Sequence, residues 1–587
     1  MNGSRLADLR AELARRGLQG FIVPRADEHL GEYVPPGAER LLWLTGFSGS
    51  AGLAVVLPDR AAVFTDGRYV LQLAAQTDPA SWERRHITDE PPPAWLAQHA
   101  PSGARIGYDP LLVSEEGLQR YLDAGVTMVP TEENPVDAIW KDRPAAPLDP
   151  ALPHRLEFAG RSSEEKREEI AAALRTAKQD AGIVTDPASI AWLLNIRGSD
   201  VPFTPFALGF AIAHADAGCE LFMAPAKIPP ATRDWLGNAV SVQDRAALPG
   251  ALARLAGKRV RVDAAGSPAW FAQRLRAAGA EVTAAMDPCL LPKACKNPVE
   301  QQGARDAHAR DAVALCRFLR WLETAAGHET ELSAAAKLLE LREQVAGFRG
   351  ESFPAISGAG ENGAVIHYRV TPETNRPIRA NETYLCDSGA QFSDGTTDVT
   401  RTIWTGPGTP PADLRDRATR VLKGHIAIAT LAFPQGVAGP HLDAFARAAL
   451  WQVGLDYDHG TGHGVGSFLS VHEGPVSLSR AARPIPIAAG IIISDEPGYY
   501  APGRYGIRLE NLLLVQPAEL PDALKPFLRF ETLSLAPFDR RLIEPALLTD
   551  AEITWLDAYH ARVLAEVGPR LEPSDQAWLA AACAPLR

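Results

Sequence analysis

Along the first 65 residues the apolar positions change spacing in a way that predicts alternating elements. Leu6, Leu9 and Leu13 recur at helical intervals with polar residues between them, Gly17 can end that helix, and Gly20-Phe21-Ile22-Val23-Pro24 is a continuous apolar run of strand length. Leu41-Leu42-Trp43-Leu44-Thr45-Gly46 follows, and then two β-prone runs, Leu53–Leu57 and Ala61–Thr65, are joined by Pro58-Asp59. This is an α/β beginning. The same order returns after residue 160: Ile170 and Leu174 on a helix, Gly182-Ile183-Val184-Thr185 as a strand, then Ile190-Ala191-Trp192-Leu193-Leu194-Asn195-Ile196-Arg197-Gly198. A repeat of roughly 150 residues is too long for a solenoid unit and predicts two related domains.

Between the two copies, residues 142–153 hold Pro144, Pro147, Pro150 and Pro153, the composition of a stiff exposed linker. Ser162 followed by Glu165 forms a capping box for the next helix. A second boundary lies between Met286 and Lys296. There Asn297 can cap a long helix with Pro298 at its first position and Glu300 at its third, running on through Cys316, Leu319 and Trp321. Helices reach about residue 345, short glycine-rich strands with acids and histidines follow, and helices return around 411–453. The expected domains are 1–143, 158–296 and 297–587.

Composition narrows the class. At 587 residues, 46% hydrophobic and 22% charged, the chain reads as a soluble protein of about three domains. A net charge of −12 argues against nucleic acid or an anionic membrane as partner. The most apolar runs, such as 206–213, fall far short of the ~20 residues that span a bilayer. Residues 1–20 carry Asp8, Glu12 and several arginines where a signal peptide would be apolar, and the six cysteines form no C-x-x-C pair. Both features predict a cytoplasmic protein with reduced thiols. Gly46-Phe47-Ser48-Gly49-Ser50-Ala51-Gly52 lacks the G-K-[ST] of a phosphate loop and reads as a tight turn.

The chemistry concentrates in the last third. Tyr384-Leu385-Cys386 leads into Asp387, and Val399-Thr400-Arg401-Thr402-Ile403-Trp404 leaves Asp398, so a polar, glycine-punctuated turn is framed by two carboxylates as a hairpin would frame it. Such a pair needs a shared proton or a cation, unless both acids are simply solvated. His459-Gly460-Thr461-Gly462-His463-Gly464-Val465-Gly466 projects two imidazoles from a glycine-rich backbone, and Glu496 and Glu510 follow β-branched runs that place them on strands. Asp387, Asp398, His463, Glu496 and Glu510 together carry about four negative charges, which two divalent cations would cancel. The oxygen-rich set favours Mn²⁺, with Zn²⁺ or Co²⁺ favoured by affinity order. Two metals ~3.5–4 Å apart can hold a bridging hydroxide and polarise a carbonyl, the arrangement for amide hydrolysis.

These blocks, in this order, resemble the pita-bread metallopeptidases and within them the cytosolic, three-domain aminopeptidase P enzymes: Asp387-Ser388-Gly389-Ala390-Gln391 through Asp398-Val399-Thr400-Arg401-Thr402, Gly462–Gly466, Asp495-Glu496-Pro497-Gly498-Tyr499-Tyr500, and Arg508-Leu509-Glu510-Asn511. The resemblance covers essentially the whole chain. It implies a C-terminal pita-bread catalytic domain, with a C-terminal extension, preceded by two creatinase-like α/β domains, and hydrolysis of the N-terminal Xaa-Pro bond of peptides through a metal-bridging hydroxide. It makes Asp387 a ligand of one metal, Asp398 and Glu510 bridges, and His463 and Glu496 ligands of the other, with Glu496 also handling the proton of the hydroxide. It further places His367 near the scissile nitrogen, His472 on the carbonyl oxygen, His459 in the proline pocket, and Tyr500 with Arg508 as a pair that holds a ligand carboxylate and relays protons. From the residues alone, His367 reads as a strand histidine and His472 as equally able to pair with Glu473. His425 and His441 match no motif and read as surface or packing residues, and Asp394 as a solvated turn acid. The resemblance implies a homodimer built through the catalytic half, to which Trp451 contributes, and peptide substrates with proline at position 2. Asp27-Glu28-His29 and Arg68 are the candidates for closing the cleft. The alternatives are a prolidase acting on dipeptides and a non-catalytic binding protein of the same fold.

Overall fold

Leu6, Leu9 and Leu13 are buried on one face of the helix Asn2–Arg15, and Gly17, at φ +66°, turns the chain into the strand Gly20–Pro24. In the computed structural model, which describes residues 2–586, the chain forms two units: Met1–Arg155 with Arg161–Leu290, and Leu156–Gly160 with Leu291–Arg587.

The first unit holds the repeat. Leu41–Thr45 falls in the helix Arg40–Thr45, ended by Gly46 in the left-handed region, and its counterpart Pro187–Leu194 is ended by Asn195 in the same region. Left-handed backbone is open mainly to glycine and asparagine, so both copies stop their helix with a suitable residue. Each copy builds a six-stranded sheet. Counted along the chain, the strands of both sheets lie in the order 4-3-2-1-5-6. The first strand pairs antiparallel with the second and parallel with the fifth in both, Gly20–Pro24 in one and Ala181–Val184 in the other. The two copies are therefore related domains. The segment 142–150 between them is almost wholly exposed, as its prolines require.

The three residues singled out at 27–29 are engaged inside this unit. Asp27 accepts hydrogen bonds from the backbone of His29 and Gly31, Glu28 is ion-paired with Arg245, and His29 stacks on Phe210 at 4.5 Å while its Nδ1 donates to the Thr185 carbonyl at 2.9 Å. These contacts join the loops of one sheet to the other. Arg68 pairs with Asp66 at 2.7 Å.

In the second unit Asn297 caps the helix Pro298–Ala325 through a capping box with Glu300. A six-stranded antiparallel sheet runs in the order Ala432–Pro434, Phe527–Thr532, Asn511–Ala518, Ile492–Asp495, Gly462–Gly464, Glu473–Leu478. A three-stranded sheet has Thr383–Ser388 at its centre, between Ile356–Ala359 and Val399–Trp404. The helix Ala412–Ala429 buries Leu414, Val421, Leu422 and Ile426 in a core shared with Ile507, Leu556 and Val563, so the C-terminal helix Asp550–Val567 belongs to the same core. None of the six cysteines is in a disulfide, and among the described residues no helix is long and apolar enough to cross a membrane.

Candidate metal centre

Asp387 lies within the strand Thr383–Ser388, opposite Thr400 of Val399–Trp404, and Asp398 immediately precedes that second strand. The acids thus stand near the two ends of a hairpin, as the sequence predicts. The turn between them is itself a small hairpin, Ala390–Phe392 against Gly395–Thr396. The alternation of the strand explains which way each side chain goes. Tyr384 and Cys386 enter the apolar core, which leaves Asp387 on the face shared with Thr400 and Thr402. Asp387 and Asp398 are 8% and 4% exposed, and the Oδ1 atom of each is buried with no hydrogen-bond partner. Unpartnered carboxylate oxygen in an interior is costly unless something positive meets it.

His463 arrives on the strand Gly462–Gly464, whose glycines are required by close approach: a Cβ on Gly462 would stand 1.8 Å from the Ser494 carbonyl, and one on Gly464 2.2 Å from that of Glu473. Ser494 also fixes the histidine, accepting from its backbone N–H at 2.9 Å, and donates to Glu496 Oε1 at 3.1 Å. His463 Nδ1 donates to the Gly464 carbonyl at 3.0 Å, which turns Nε2 inward, 3.5 Å from Asp398 Oδ2 and 3.4 Å from Glu496 Oε1. Glu510 Oε2 accepts from Thr400 Oγ1 at 2.6 Å. Asp398, His463 and Glu510 each offer an atom within 4.8 Å of the others. Glu496 and Glu510 are not on strands as expected: the first follows Ile492–Asp495 and the second lies between Tyr505–Arg508 and Asn511–Ala518. Strand ends free the carboxylates from the alternation that would send one of each neighbouring pair into the core.

The electrostatics follow from burial. Burial pushes the Asp387 carboxyl up, against the pull of Arg508, and the Asp398 charge pushes the same way. Glu496 is raised by burial despite His463 and Arg508, and Glu510 is raised well above the usual range by burial and then by Asp398, Glu496 and Asp387. Burial alone would lower His463, but Asp398 and Glu496 overcome it and push the imidazole up to about 9. Four crowded acids, one imidazole and two orphaned oxygens fit a site for divalent cations.

A directed chain of hydrogen bonds backs the acids. Arg508, 1% exposed, donates from Nη2 to Asp387 Oδ2 at 2.6 Å and from Nη1 to the Tyr500 oxygen at 2.7 Å. Tyr500 donates to His459 Nε2 at 2.9 Å, because His459 Nδ1 already donates to the Gly460 carbonyl at 2.8 Å. Burial pushes the Tyr500 phenol up to about 12 in spite of Arg508, so it keeps its proton. The loop that carries His459 is held by Arg447, which reaches Asp443, Asp456 and the carbonyls of Tyr457 and His459.

The remaining histidines divide. His472 directly precedes the strand Glu473–Leu478, and its ring stands edge-on to His463 with centroids 4.3 Å apart. Its neighbour Glu473 is fully buried between Lys293 and Lys296, so the acid has other partners to answer to. His367 lies in a turn after the 3-10 helix Gly360–Ala364 rather than on a strand, and the carbonyl before it, Ile366, accepts from Arg508 Nη1 at 3.2 Å. His425 is not at the surface: wholly buried, it donates from Nδ1 to the Asp495 carbonyl at 3.0 Å and accepts from Asn511 Nδ2 at 3.1 Å, tying together the residues that precede Glu496 and follow Glu510. His441 packs its Nδ1 on the backbone N–H of Ala438 at a helix start. Asp394 is not a bystander, since it pairs with Arg310 of the long helix. Sequence reasoning gave Arg401 and Arg447 no role, and only the Thr-Arg-Thr run at 400–402 hinted that this strand carries polar side chains into the interior.

Comparisons with known proteins match this architecture. The model for metallopeptidase family M24 covers residues 302–517, the C-terminal region of peptidase M24 covers 526–586, and two creatinase/prolidase N-terminal domain models cover 5–139 and 142–300. The chain is 39% identical to a "Probable Xaa-Pro aminopeptidase P" of Aspergillus fumigatus over 99% of its own length and 92% of the relative's, and 39% identical to one of Laccaria bicolor over 99% and 93%. A crystal structure of X-prolyl aminopeptidase from Caenorhabditis elegans, described as a cytosolic enzyme with a di-nuclear active site, superposes with a TM-score of 0.94 at 34% identity, covering all of both chains. An Xaa-Pro dipeptidase from Bacillus anthracis shares the fold at a TM-score of 0.52 and 19% identity, over 64% of this chain and 99% of its own.

Proposed function

The chain belongs to the aminopeptidase P group of metallopeptidase family M24, and from that premise we propose that it is a dinuclear metallo-aminopeptidase that hydrolyses the bond between an N-terminal residue and a following proline. The observation that carries the reading is the buried cluster of Asp387, Asp398, His463, Glu496 and Glu510, with carboxylate oxygens that no protein donor satisfies. Asp387 would serve one cation, His463 with Glu496 the other, and Asp398 and Glu510 both, with Mn²⁺ as the metal expected in the cell. Bound there, two cations lower the pKa of water and polarise the scissile carbonyl.

The protein's own groups do the rest. Glu496, steadied by Ser494 Oγ, takes the proton of the attacking water and returns it to the leaving proline nitrogen beside His367. His472 donates to the carbonyl oxygen as it becomes anionic. His459 and Tyr500, edge-on with ring centroids 5.4 Å apart, offer flat walls to a proline ring, which has no N–H to recognise. Arg508 holds Asp387 in place, and the Arg508–Tyr500–His459 chain lets a proton shift be shared along it.

Phe445 and Trp451, 48% and 43% exposed on the helix Gly439–Trp451, offer exposed apolar surface for a homodimer, and sedimentation of wild type against Trp451→Glu tests it. Six cysteines without a disulfide suit the cytoplasm. The defining experiment combines metal analysis of purified protein with turnover of Xaa-Pro and Xaa-Pro-Xaa peptides. Two metals per chain with turnover of the longer peptide is expected. Inertness towards the longer peptide makes the enzyme a prolidase, and two metals without any turnover make it a binding protein.

A further inference from the structure

Glu473 sits in an unusual setting. Lys293 Nζ lies 2.7 Å from its Oε2, Lys296 Nζ contacts its Oε1, and all three side chains are 1–2% exposed. Burial pushes the Glu473 carboxyl up, but the two ammonium groups more than reverse this and hold it below the usual range. Two cations on one anion in an interior are weak evidence of a stabilising role, because the cost of desolvating three ions can exceed what the pairing returns and apolar groups of the same volume often do as well. The cluster therefore calls for another role.

Its place in the fold supplies one. In the antiparallel pairing of Gly462–Gly464 with Glu473–Leu478, His463 faces Ser477 while Gly464 faces Glu473, so residues 474–476 have no partner in the shorter strand. The ladder that normally fixes a strand's register thus has a gap between Glu473 and Ser477, and the end of the strand next to His472 is tied to its neighbour through the single pair Gly464–Glu473. The lysines, in contrast, come from a well-anchored segment. Lys296 donates its backbone N–H to the Gly490 carbonyl at 2.9 Å, its own carbonyl accepts from Gln301 Nε2 at 2.7 Å, and Asn297 caps the long helix that follows.

We propose that Lys293 and Lys296 are positioning residues for the reaction, clamping Glu473 so that His472, the next residue back, keeps its place beside His463. The inference rests on the reading of His472 as the donor to the carbonyl oxygen. To the single pair with Gly464 the clamp adds two charge-assisted hydrogen bonds on the Glu473 side chain, which are short and directional. It acts on the transition state, since a donor displaced by about 1 Å costs catalysis far more than substrate binding.

The test is a double-mutant cycle on the metal-loaded enzyme with an Xaa-Pro-Xaa peptide. Glu473→Gln alone leaves two buried ammonium groups facing a neutral amide and can simply unfold the protein. The variant to use is Lys293→Met/Lys296→Met/Glu473→Gln, which removes all three charges at near-constant volume. It is expected to keep both metals and KM within about twofold while kcat falls about 10- to 100-fold, and to cost less than about twofold when introduced into His472→Ala. A triple variant with wild-type kcat, or one that loses the same factor with and without His472, overturns the proposal. His472→Ala at full activity instead removes the assignment of His472, and the positioning role with it.

Discussion

Loading metal into the stripped enzyme must expel a proton from His463, and the structure says how many and over what pH range. Without metal the Asp398 and Glu496 carboxylates hold the imidazole proton up to a pKa of about 9, so between pH 7 and 8 the ring is almost fully protonated. A cation needs the Nε2 lone pair, and about one proton per chain must leave when it binds. The raised carboxyls of Asp387, Glu496 and Glu510 also hold protons above their ordinary range, so the count grows as pH falls and shrinks as pH passes 9. The same shifts set stability. For His463 and for these acids the folded, metal-free protein binds more protons than the unfolded chain, so its stability is highest below the unfolded pKa values and declines as pH rises through the folded ones. The rise of His463 from 6.5 to about 9 is worth about 3 kcal/mol of that decline, an upper figure because the side chain retains 20% exposure. Titration calorimetry of stripped protein with Mn²⁺ in buffers of different ionisation enthalpy, from pH 6 to 9.5, measures the protons directly, and thermal unfolding with and without metal follows the stability. The gap between the two melting curves should widen towards pH 9. No proton release at pH 7, or a count that climbs with pH, would refute the reasoning.

Three further outcomes are expected. His463→Ala or Asp398→Ala should lose bound metal and nearly all turnover, and either variant with full occupancy by elemental analysis would remove that residue from the ligand set. Tyr500→Phe deletes the hydroxyl that joins Arg508 to His459 and leaves Asp387 on Arg508, so kcat should fall about tenfold with metal content unchanged; equal loss of metal would mean that the phenol holds the site rather than serves it. Arg342→Met strips the buried Asp311 of a two-pronged partner at 2.8 and 3.0 Å and should destabilise the C-terminal unit by about 3–5 kcal/mol in urea, with a cost under about 1 kcal/mol arguing that the pair does not hold this unit together.

How much was legible beforehand depended on whether the information was local. The repeat could be read because each copy carries its own helix, strand and left-handed stop, and the shared 4-3-2-1-5-6 order shows that the likeness extends to topology. The Asn297 and Ser162 caps were legible for the same reason, as both partners sit three residues apart. The acid hairpin was visible from its β-prone flanks. Glu496 and Glu510 were placed on strands because their apolar runs stop only one or two residues earlier, and periodicity resolves a boundary no better than that. Asp394, Glu473 and His425 could not be placed, since Arg310, Lys293 with Lys296, and Asn511 lie from about 80 to 180 positions away and nothing in a single sequence pairs them.

Four of the most deeply buried large side chains, Arg342, Arg401, Arg447 and Arg508, are arginines of the C-terminal unit, and each grips backbone or acid next to a site residue. Arg342 reaches the Gly389 carbonyl two residues past Asp387, Arg401 donates to the carbonyls of Thr400 and Glu510, Arg447 holds the loop of His459, and Arg508 holds Asp387 itself. The reason lies in the glycines. Gly462 and Gly464 let strands approach closely enough to converge five ligands, but a strand of three residues has few ladder bonds and no Cβ packing to keep it there. A guanidinium offers five donors in a rigid plane and can tie several carbonyls of different segments at once, which an ammonium cannot. Its charge also opposes that of the four carboxylates in the same interior. The convergence that makes the site chemically useful is thus held by guanidinium groups of the protein's own; Arg342 and Arg447 are balanced by Asp311, Asp443 and Asp456, and Arg508 pairs with the site acid Asp387.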